Sequence, residues 1–209
     1  MDIAERTRRR DQVLASVTRR SVATSVSEAF SPLLVDAVLL IAIAFHRAPS
    51  LVNALEWAFL AIGFVSVVPM LIIRYGVQRR RLSDRHVSIR QQRPLPIALA
   101  ILSIAVGLAT LVVIHAPREL LAVVVAMLVG LLISLIVTLV WKISLHTGTL
   151  AGAIVILVLA LSPTFAGLFP LVVLVGGARV ELGSHSPLQV SIGAALGVIV
   201  AGVVFSLLR

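Results

Sequence analysis

The sequence predicts an all-α, polytopic integral membrane helix bundle with about seven transmembrane helices. Of its 209 residues, 59% are hydrophobic and only 13% are charged, and the mean hydropathy is +1.10. Soluble domains are about half apolar and about a quarter charged, and a water-soluble chain of this size could not bury so much apolar surface. The composition therefore excludes a soluble α/β enzyme, a coiled coil and a disordered chain. The absence of cysteine excludes disulfides, thiolate metal sites and a cysteine nucleophile.

Residues 1–29 form a basic polar head, MDIAERTRRRDQVLASVTRRSVATSVSEA. The head lacks the pattern of a secretory signal, because no short apolar core is followed by a small-residue cleavage site. Two interpretations stay open for it. One is an amphipathic helix on the membrane surface, with Val13, Leu14 and Val17 against lipid; the other is a partly disordered tail.

Seven apolar stretches follow the head, so residues 30–209 are predicted to form a single transmembrane domain. A spanning helix needs roughly 20 apolar residues, and most of the stretches reach that length. Long runs without alternation favour helices over barrel strands. The first and sixth stretches are short, so their ends must include polar flanking residues. The approximate stretches are 30–45, 51–73, 96–114, 120–141, 143–161, 166–178 and 188–208.

Basic residues predict the orientation, because short loops rich in Arg and Lys remain in the cytoplasm. If all seven stretches span, only three of the 18 basic residues, Arg47, Arg118 and Arg209, lie opposite the head and the Arg-rich segment 74–95. If the first stretch lay in the interface instead, the two faces would be equally basic. We therefore expect a bacterial-type plasma (inner) membrane protein with a cytoplasmic N-terminus. The basic residues flank apolar stretches, which favours anionic membrane lipids as partners over nucleic acid.

Two polar clusters interrupt the apolar sequence, WKISLHTG at 141–148 and ARVELGSHSPLQV at 178–190. Both are predicted to lie on the same side as the segment 74–95, and Lys142 and His146 are four residues apart, so they share one face of a helix. Polar groups at membrane depth are candidates for function. Two histidines with several cations suit a phosphoryl group, because Arg and Lys neutralise its oxygens. One imidazole can attack phosphorus and the other can protonate the leaving oxygen.

These residues resemble a known family. The run Arg179-Val180-x-Leu182-Gly183-x-His185-x-Pro187-x-Gln189-Val190, continuing to Gly193-Ala194-Ala195-Leu196-Gly197, is similar to the third signature of the phosphatidic acid phosphatase type 2 / haloperoxidase superfamily, which is Arg, five residues, His, three residues, Asp. Ser144-Leu145-His146 resembles the second signature, Pro-Ser-Gly-His. The resemblance covers roughly residues 51–208, and it implies a six-helix phosphatase-like core preceded by an extra N-terminal helix. An added helix inverts the core, which agrees with an active face in the cytoplasm.

The resemblance also implies the roles of individual residues. His185 would be the nucleophile that forms a phosphohistidine, and His146 would be the general acid. Arg179 would hold phosphate oxygens, and Ser144 would donate a hydrogen bond to them. The family needs no metal and no cofactor for this step, so we expect none.

The first signature of the family, Lys, six residues, Arg-Pro, has no match at the end of the third core helix. Lys142 occupies roughly that place. The pair Arg93-Pro94 repeats the Arg-Pro element one loop earlier. We therefore treat Lys142, Arg93, Arg85 and Arg90 as candidate phosphate ligands.

Gln189 is a second departure from the family, which has an Asp at this position to orient and charge the nucleophilic histidine. The Gln carbonyl can still accept the ring N–H and fix the tautomer, so we keep Gln189 among the catalytic candidates. It cannot offset the charge of an imidazolium. Glu181, Asp36 and Asp84 are the acids that could compensate, and the sequence does not choose among them.

The predicted activity is hydrolysis of a phosphate or diphosphate monoester on a lipid, with an isoprenyl lipid as one candidate substrate. Two other classes stay open: a degenerate relative that binds lipid phosphate without turnover, which Gln189 favours, and a membrane transporter, although no inverted repeat is visible. A prenyl transferase would need acidic metal clusters, which the sequence lacks. The oligomeric state is left open.

Overall fold

The structure is a computed structural model that describes residues 3–84, 87 and 89–209, with side chains throughout that part except at residues 3, 4 and 6–16. All regular elements in these ranges are helical. The α-helices are α1 (Ile3–Ala29), α2 (Pro32–Arg47), α3 (Leu51–Ile62), α4 (Val68–Gln78), α5 (Pro94–Val113), α6 (Arg118–Val140), α7 (Leu145–Ala160), α8 (Pro170–Glu181) and α9 (Pro187–Leu208). A π-helical turn (Gly63–Val67) joins α3 to α4, and short 3-10 helices (Arg90–Gln92 and Pro163–Leu168) precede α5 and α8.

The all-α membrane bundle predicted from composition is confirmed. Six helical segments are long and apolar enough to cross a membrane, and α7 is a shorter apolar helix. Each predicted stretch therefore corresponds to one segment of the bundle. The six long segments are Val17–Arg47, Leu51–Gln78, Arg90–Val113, Arg118–Val140, Pro163–Glu181 and Pro187–Leu208.

The sixth stretch, which the sequence shows as short, reaches spanning length because the 3-10 helix Pro163–Leu168 extends α8 at its start. The short apolar helix is instead α7, with 16 residues. Polar residues of the candidate site occupy the segment before α7 and its first turn, and they shorten its apolar part.

The basic head is helical: α1 runs from Ile3 to Ala29. Helix α2 begins at Pro32, because the first turn of a helix does not need the N–H that proline lacks. Phe30 and Ser31, just before the proline, are not helical and separate α1 from α2. The C-terminal half of α1 packs on α8. Ala23 and Ser27 are buried there, so the last turns of α1 are part of the helix bundle.

Side-chain contacts define the two ends of the bundle. At one end, Arg47 after α2 forms an ion pair with Glu119 at the start of α6, with 3.2 Å between Nη2 and Oε1. Arg209, at the end of α9, donates to the carbonyl of Leu159 near the end of α7 at the same end. At the other end, Lys142 before α7 donates from Nζ to the carbonyl of Ser184 before α9, at 2.5 Å. Of the candidate residues that the structure describes, Ser144, His146, Arg179 and His185 also lie at this second end.

Helices α7 and α9 pack through two pairs of glycines, Gly148 and Gly152 on α7 and Gly193 and Gly197 on α9. A Cβ atom added at Gly197 would lie 2.0 Å from the carbonyl oxygen of Gly148, and one at Gly193 would lie 2.5 Å from the carbonyl oxygen of Ser144. Both distances are far below van der Waals contact. Small residues four apart let helix backbones touch in a membrane, and here they bring the first turns of α7 and α9 together.

Replacing Gly197 by alanine is therefore expected to destabilise the protein. The added methyl group meets backbone rather than a mobile side chain, so the two helices must separate, and overpacking of this kind costs about 1–3 kcal/mol. Thermal unfolding in detergent measures the effect. Gly177→Ala on α8 is the matched control, because a Cβ at Gly177 meets nothing within 4 Å. Equal melting temperatures for the two variants would contradict the close packing of α7 and α9.

Candidate functional site: a cavity with a cationic end

A cavity of about 540 Å³ lies between the helices of the bundle. Its wall has two chemically different parts. Most of the wall is apolar and comes from α2, the π-helical turn, α5, α6, α7 and α9, with Leu39, Val65, Ile104, Met127, Ile156 and Val200 as examples. The other part is a cationic end, formed by Arg93, Ser144, His146, Arg179 and His185. The shape and polarity of this cavity fit an amphiphile with an anionic head and an apolar chain.

Both candidate histidines lie at helix starts that are tied to each other. His146 is in the first turn of α7, and Ser144 caps that helix by accepting from the N–H of Thr147 at 3.4 Å. The N–H of Ser144 donates to the carbonyl of Gln189 at 3.2 Å, and the hydroxyl of Thr147 donates to the carbonyl of Val190 at 2.9 Å. These two bonds hold the start of α7 against the start of α9, just after His185.

The turn between α8 and α9 places His185 next to Arg179. Gly183 has φ +66°, a left-handed conformation that glycine adopts without strain. This turn directs the N–H groups of Ser184 and His185 to the carbonyl of Arg179, at 3.0 and 3.3 Å. The His185 side chain is 7% exposed, and its Nδ1 atom is buried without a hydrogen-bond partner among the described residues.

Two buried arginines provide most of the positive charge. Arg93, just before α5, donates from Nε to the carbonyl of Val87 at 2.9 Å and from Nη1 to the carbonyl of Ile143 at 3.3 Å. Arg179 donates from Nη1 to the hydroxyl of Ser27 at 2.8 Å, while its Nε atom has no partner in the described part of the chain. The carboxylates of Asp84 and Glu28 act on Arg179, and that of Asp84 acts on Arg93, but they oppose two buried guanidiniums and Lys142 together. Buried positive charge in excess of its counter-charges is costly, so the site favours an anion.

Lys142 reinforces this charge from beside the cavity. Its ammonium is held by the carbonyl of Ser184 at 2.5 Å. Burial lowers the pKa of Lys142. The positive charges of Arg93 and Arg179 lower this pKa further, whereas the negative charge of Asp84 raises it. Arg93 bonds to the residue after Lys142, and Lys142 bonds to the residue before His185, so three separate chain segments bring positive charge to one place.

This environment keeps the imidazole of His185 neutral. Burial is the largest cause, and the positive charges of Lys142, Arg93 and Arg179 add to it, so that the pKa of His185 falls to about 3. The side chain of Gln189 raises the pKa of His185, but its effect is smaller than each of the others. At neutral pH, His185 therefore carries the free nitrogen lone pair that a nucleophile or a hydrogen-bond acceptor needs.

Gln189 lies beside His185, but its side chain also stabilises the start of α9. Its Oε1 atom accepts from the N–H of Ser186 at 3.1 Å, and the hydroxyl of Ser186 accepts from the N–H of Gln189 at 3.3 Å. This reciprocal pair is a capping box.

The charges that shift the pKa of His185 are all positive, so they include none of the acids that could replace the family's aspartate. Glu181 is exposed to solvent, and Asp84 acts on Arg93, Lys142 and Arg179.

The remaining candidate ligands differ in their positions. Arg90 donates from Nη1 to the carbonyls of Thr138 and Leu139, at 3.1 and 2.6 Å, so its guanidinium caps the C-terminal end of α6 instead of lining the cavity. Arg85 lies outside the described residues. Within the part of the chain that the structure describes, no three His, Asp or Glu side chains gather in an arrangement that could hold a metal ion.

Three polar residues of this region have no motif in the sequence. Ser27 binds Arg179 from α1, across 152 positions of the chain, and Glu28 lines the cavity beside it. Ser66 reaches the cavity from the π-helical turn. An acidic residue within an apolar helix is a local signal that the sequence does contain, and this residue, Asp36, lines the same cavity.

Comparison with known proteins gives no match to this chain among protein-family models, curated proteins or solved structures.

Proposed function

We propose that the protein is a membrane lipid phosphatase that hydrolyses a phosphate or diphosphate monoester of a lipid through a phosphohistidine. The observation that supports this most is the convergence of two histidines and two buried arginines on one end of an apolar cavity. The cationic end fits the phosphoryl group, and the apolar wall fits the chain. The phosphatase resemblance of the two histidine motifs is consistent with this arrangement.

In the first step of this proposal, the neutral imidazole of His185 attacks phosphorus. With a phosphate monoester, the new N–P bond forms as the bond from phosphorus to the lipid oxygen breaks, and His146 gives a proton to that oxygen, so the lipid leaves as an alcohol. With a diphosphate, the terminal phosphorus is attacked, the bond to the bridging oxygen breaks, and the lipid leaves as its monophosphate. In the second step, water attacks the phosphohistidine while His146 accepts its proton. Inorganic phosphate leaves, and both imidazoles return to their starting states.

The cations stabilise the negative charge on the non-bridging oxygens during both steps. Arg93 and Arg179 are held by hydrogen bonds to other groups of the protein before any ligand binds, so little reorganisation is needed when charge develops. Ser144 accepts a hydrogen bond from the N–H of Thr147, which leaves its own hydroxyl hydrogen for a phosphate oxygen. We assign these residues to phosphate binding.

A second candidate function is binding of lipid phosphate without turnover. The observation that favours it is the position of Gln189, whose amide takes part in the capping box of α9. An amide does not balance the positive charge that His185 acquires when it attacks phosphorus. In a serine protease, replacing the comparable Asp by Asn lowers kcat by about 10⁴-fold.

Phosphate release from a panel of lipid phosphates and diphosphates tests the proposed function, with purified protein in mixed micelles, with and without chelator. We expect release that resists chelator and that falls about 10²–10⁴-fold in His146→Ala, the usual contribution of general acid–base catalysis. Release abolished by chelator would contradict the histidine mechanism. Tight binding of lipid phosphate with no release from any substrate would instead favour the second candidate function.

A further inference from the structure

The apolar wall of the cavity includes two polar side chains, Asp36 and Ser66, that have no hydrogen bond to another described residue. Asp36 is on α2, and Ser66 is on the π-helical turn between α3 and α4. Helix α2 packs against that turn. The phosphatase mechanism described above uses neither residue.

Ser66 has a hydroxyl group that the fold leaves unused. The side chain is 3% exposed, and its Oγ atom has no hydrogen-bond partner among the described residues. The π-helical turn is stabilised by another residue, because the hydroxyl of Ser103 on α5 donates to the carbonyl of Phe64 at 2.6 Å. A buried hydroxyl without a partner costs about 1–3 kcal/mol, and π-helical turns are frequent at functional sites.

Asp36 is a carboxyl group within a membrane-spanning segment, where acids are rare and are candidates for function. No hydrogen bond or ion pair joins it to another described residue. Asp36 is half-buried and lines the cavity.

The depth of both groups follows from their positions on the helices. Asp36 lies four residues after Pro32, the first residue of α2, which is about 6 Å along the axis. Ser103 lies nine residues after Pro94, the first residue of α5, or about 14 Å, and its contact with Phe64 places the π-helical turn near that depth. Asp36 is therefore about one helical turn inside the cationic end, and the π-helical turn is about two and a half turns inside it.

We propose that Asp36 and Ser66 form a second binding site in the cavity, in which each binds a hydroxyl or carbonyl group on the linker between the phosphate and the apolar chain of the lipid. This inference rests on the proposed function and specifies its substrate class. A carboxyl and a hydroxyl group together can both donate and accept hydrogen bonds. A linker with ester or hydroxyl groups satisfies them, whereas a prenyl or alkyl phosphate brings only hydrocarbon to this depth and leaves both groups without a partner.

The test compares two phosphates that share one apolar chain, oleoyl-glycerol phosphate and oleyl phosphate, with wild-type protein, Ser66→Ala and Asp36→Leu. We expect wild-type protein to prefer oleoyl-glycerol phosphate by kcat/KM, and each substitution to lower that preference about 3–10-fold, as for the loss of one hydrogen bond. Ser134→Ala is the matched control. Its hydroxyl also lines the cavity, but it donates to the carbonyl of Gly130 in its own helix at 2.7 Å, so the preference should not change. Equal losses with both phosphates would overturn the inference.

A binding measurement separates this inference from the proposed function. The shift in melting temperature caused by each phosphate should be larger for oleoyl-glycerol phosphate in wild-type protein, and the difference should shrink in Ser66→Ala and Asp36→Leu. If that pattern appears without phosphate release, the second binding site is supported and the phosphatase proposal fails. If phosphate is released but neither substitution changes the preference, the second binding site is wrong and the phosphatase proposal stands. Both variants are expected to fold, because the structure shows no described partner that either would lose.

Discussion

Replacing His185 by alanine is expected to lower phosphate release from a lipid phosphate by at least about 10³-fold, since removal of a catalytic nucleophile in a hydrolase costs that much or more. The imidazole is neutral at pH 7 because burial and the nearby cations lower its pKa to about 3. Alanine leaves the cations in place but removes the atom that attacks phosphorus. Binding of lipid phosphate should therefore be retained, while kcat is lost.

Single-turnover kinetics with radiolabelled lipid phosphate provide the second measurement. Wild-type protein should acquire label in an acid-labile form, as expected for an N–P bond, and His185→Ala should not. His46→Ala is the control, because His46 is exposed near Arg47 at the opposite end of the bundle. Labelling of His185→Ala at the wild-type level would mean that another residue is the nucleophile.

The helices of the bundle could be predicted from the sequence because lipid imposes a simple rule on length and polarity. Runs of apolar residues predict all seven segments, and most predicted ends lie within a few residues of the observed ones. The start of the first segment is the exception, because that segment begins at Val17 and not at residue 30. The π-helical turn Gly63–Val67 was not predictable in this way. Its extra residue changes neither the composition nor the length of the run from 51 to 73, and the carbonyl that it frees binds Ser103 on a different helix.

The candidate site was only partly predictable from local patterns. His146, Arg179 and His185 are recognisable because charged and imidazole groups are rare in apolar sequence, and the structure brings them to one cavity. Ser27 could not be identified, because a serine in a basic helix has no distinguishing pattern until its contact with Arg179 is known. For Arg90, the role predicted from the sequence differs from the position in the structure. The sequence suggested a phosphate ligand, whereas its guanidinium stabilises the end of α6.

The packing of α7 on α9 shows why these limits are physical. The spacing of Gly193 and Gly197 predicts close helix contact, but the partner helix is not specified by that spacing. Gly148 and Gly152 have the same spacing on α7, and the carbonyl of Gly148 fills the space at Gly197. The juxtaposition of His146 and His185 depends on this pair of helix surfaces, so it is a property of the tertiary structure.

Replacing Gln189 by aspartate is expected to raise phosphate release by about 10²–10³-fold, because a carboxylate about 4 Å from an imidazolium contributes about 4 kcal/mol at an effective dielectric constant of about 20. His185 becomes positively charged as it attacks phosphorus, and all the charges that now shift its pKa are positive. An aspartate at position 189 also remains favourable near the N-terminus of α9. Gln189→Asn is the matched control, since it shortens the side chain without adding charge and should give no gain.

The same substitution should change the pH dependence of kcat/KM in a defined direction. The neutral form of His185 is the nucleophile, so activity falls as the pH approaches its pKa from above, and in wild-type protein this loss occurs only towards about pH 3. A carboxylate at position 189 favours the imidazolium and raises that pKa, so the acid limb of the profile should move to higher pH in Gln189→Asp and stay in place in Gln189→Asn. A pH profile of phosphate release from oleoyl-glycerol phosphate measures both effects. A shifted acid limb without any gain in rate would contradict the view that the missing carboxylate limits this site, and an unshifted limb would mean that position 189 does not act on His185.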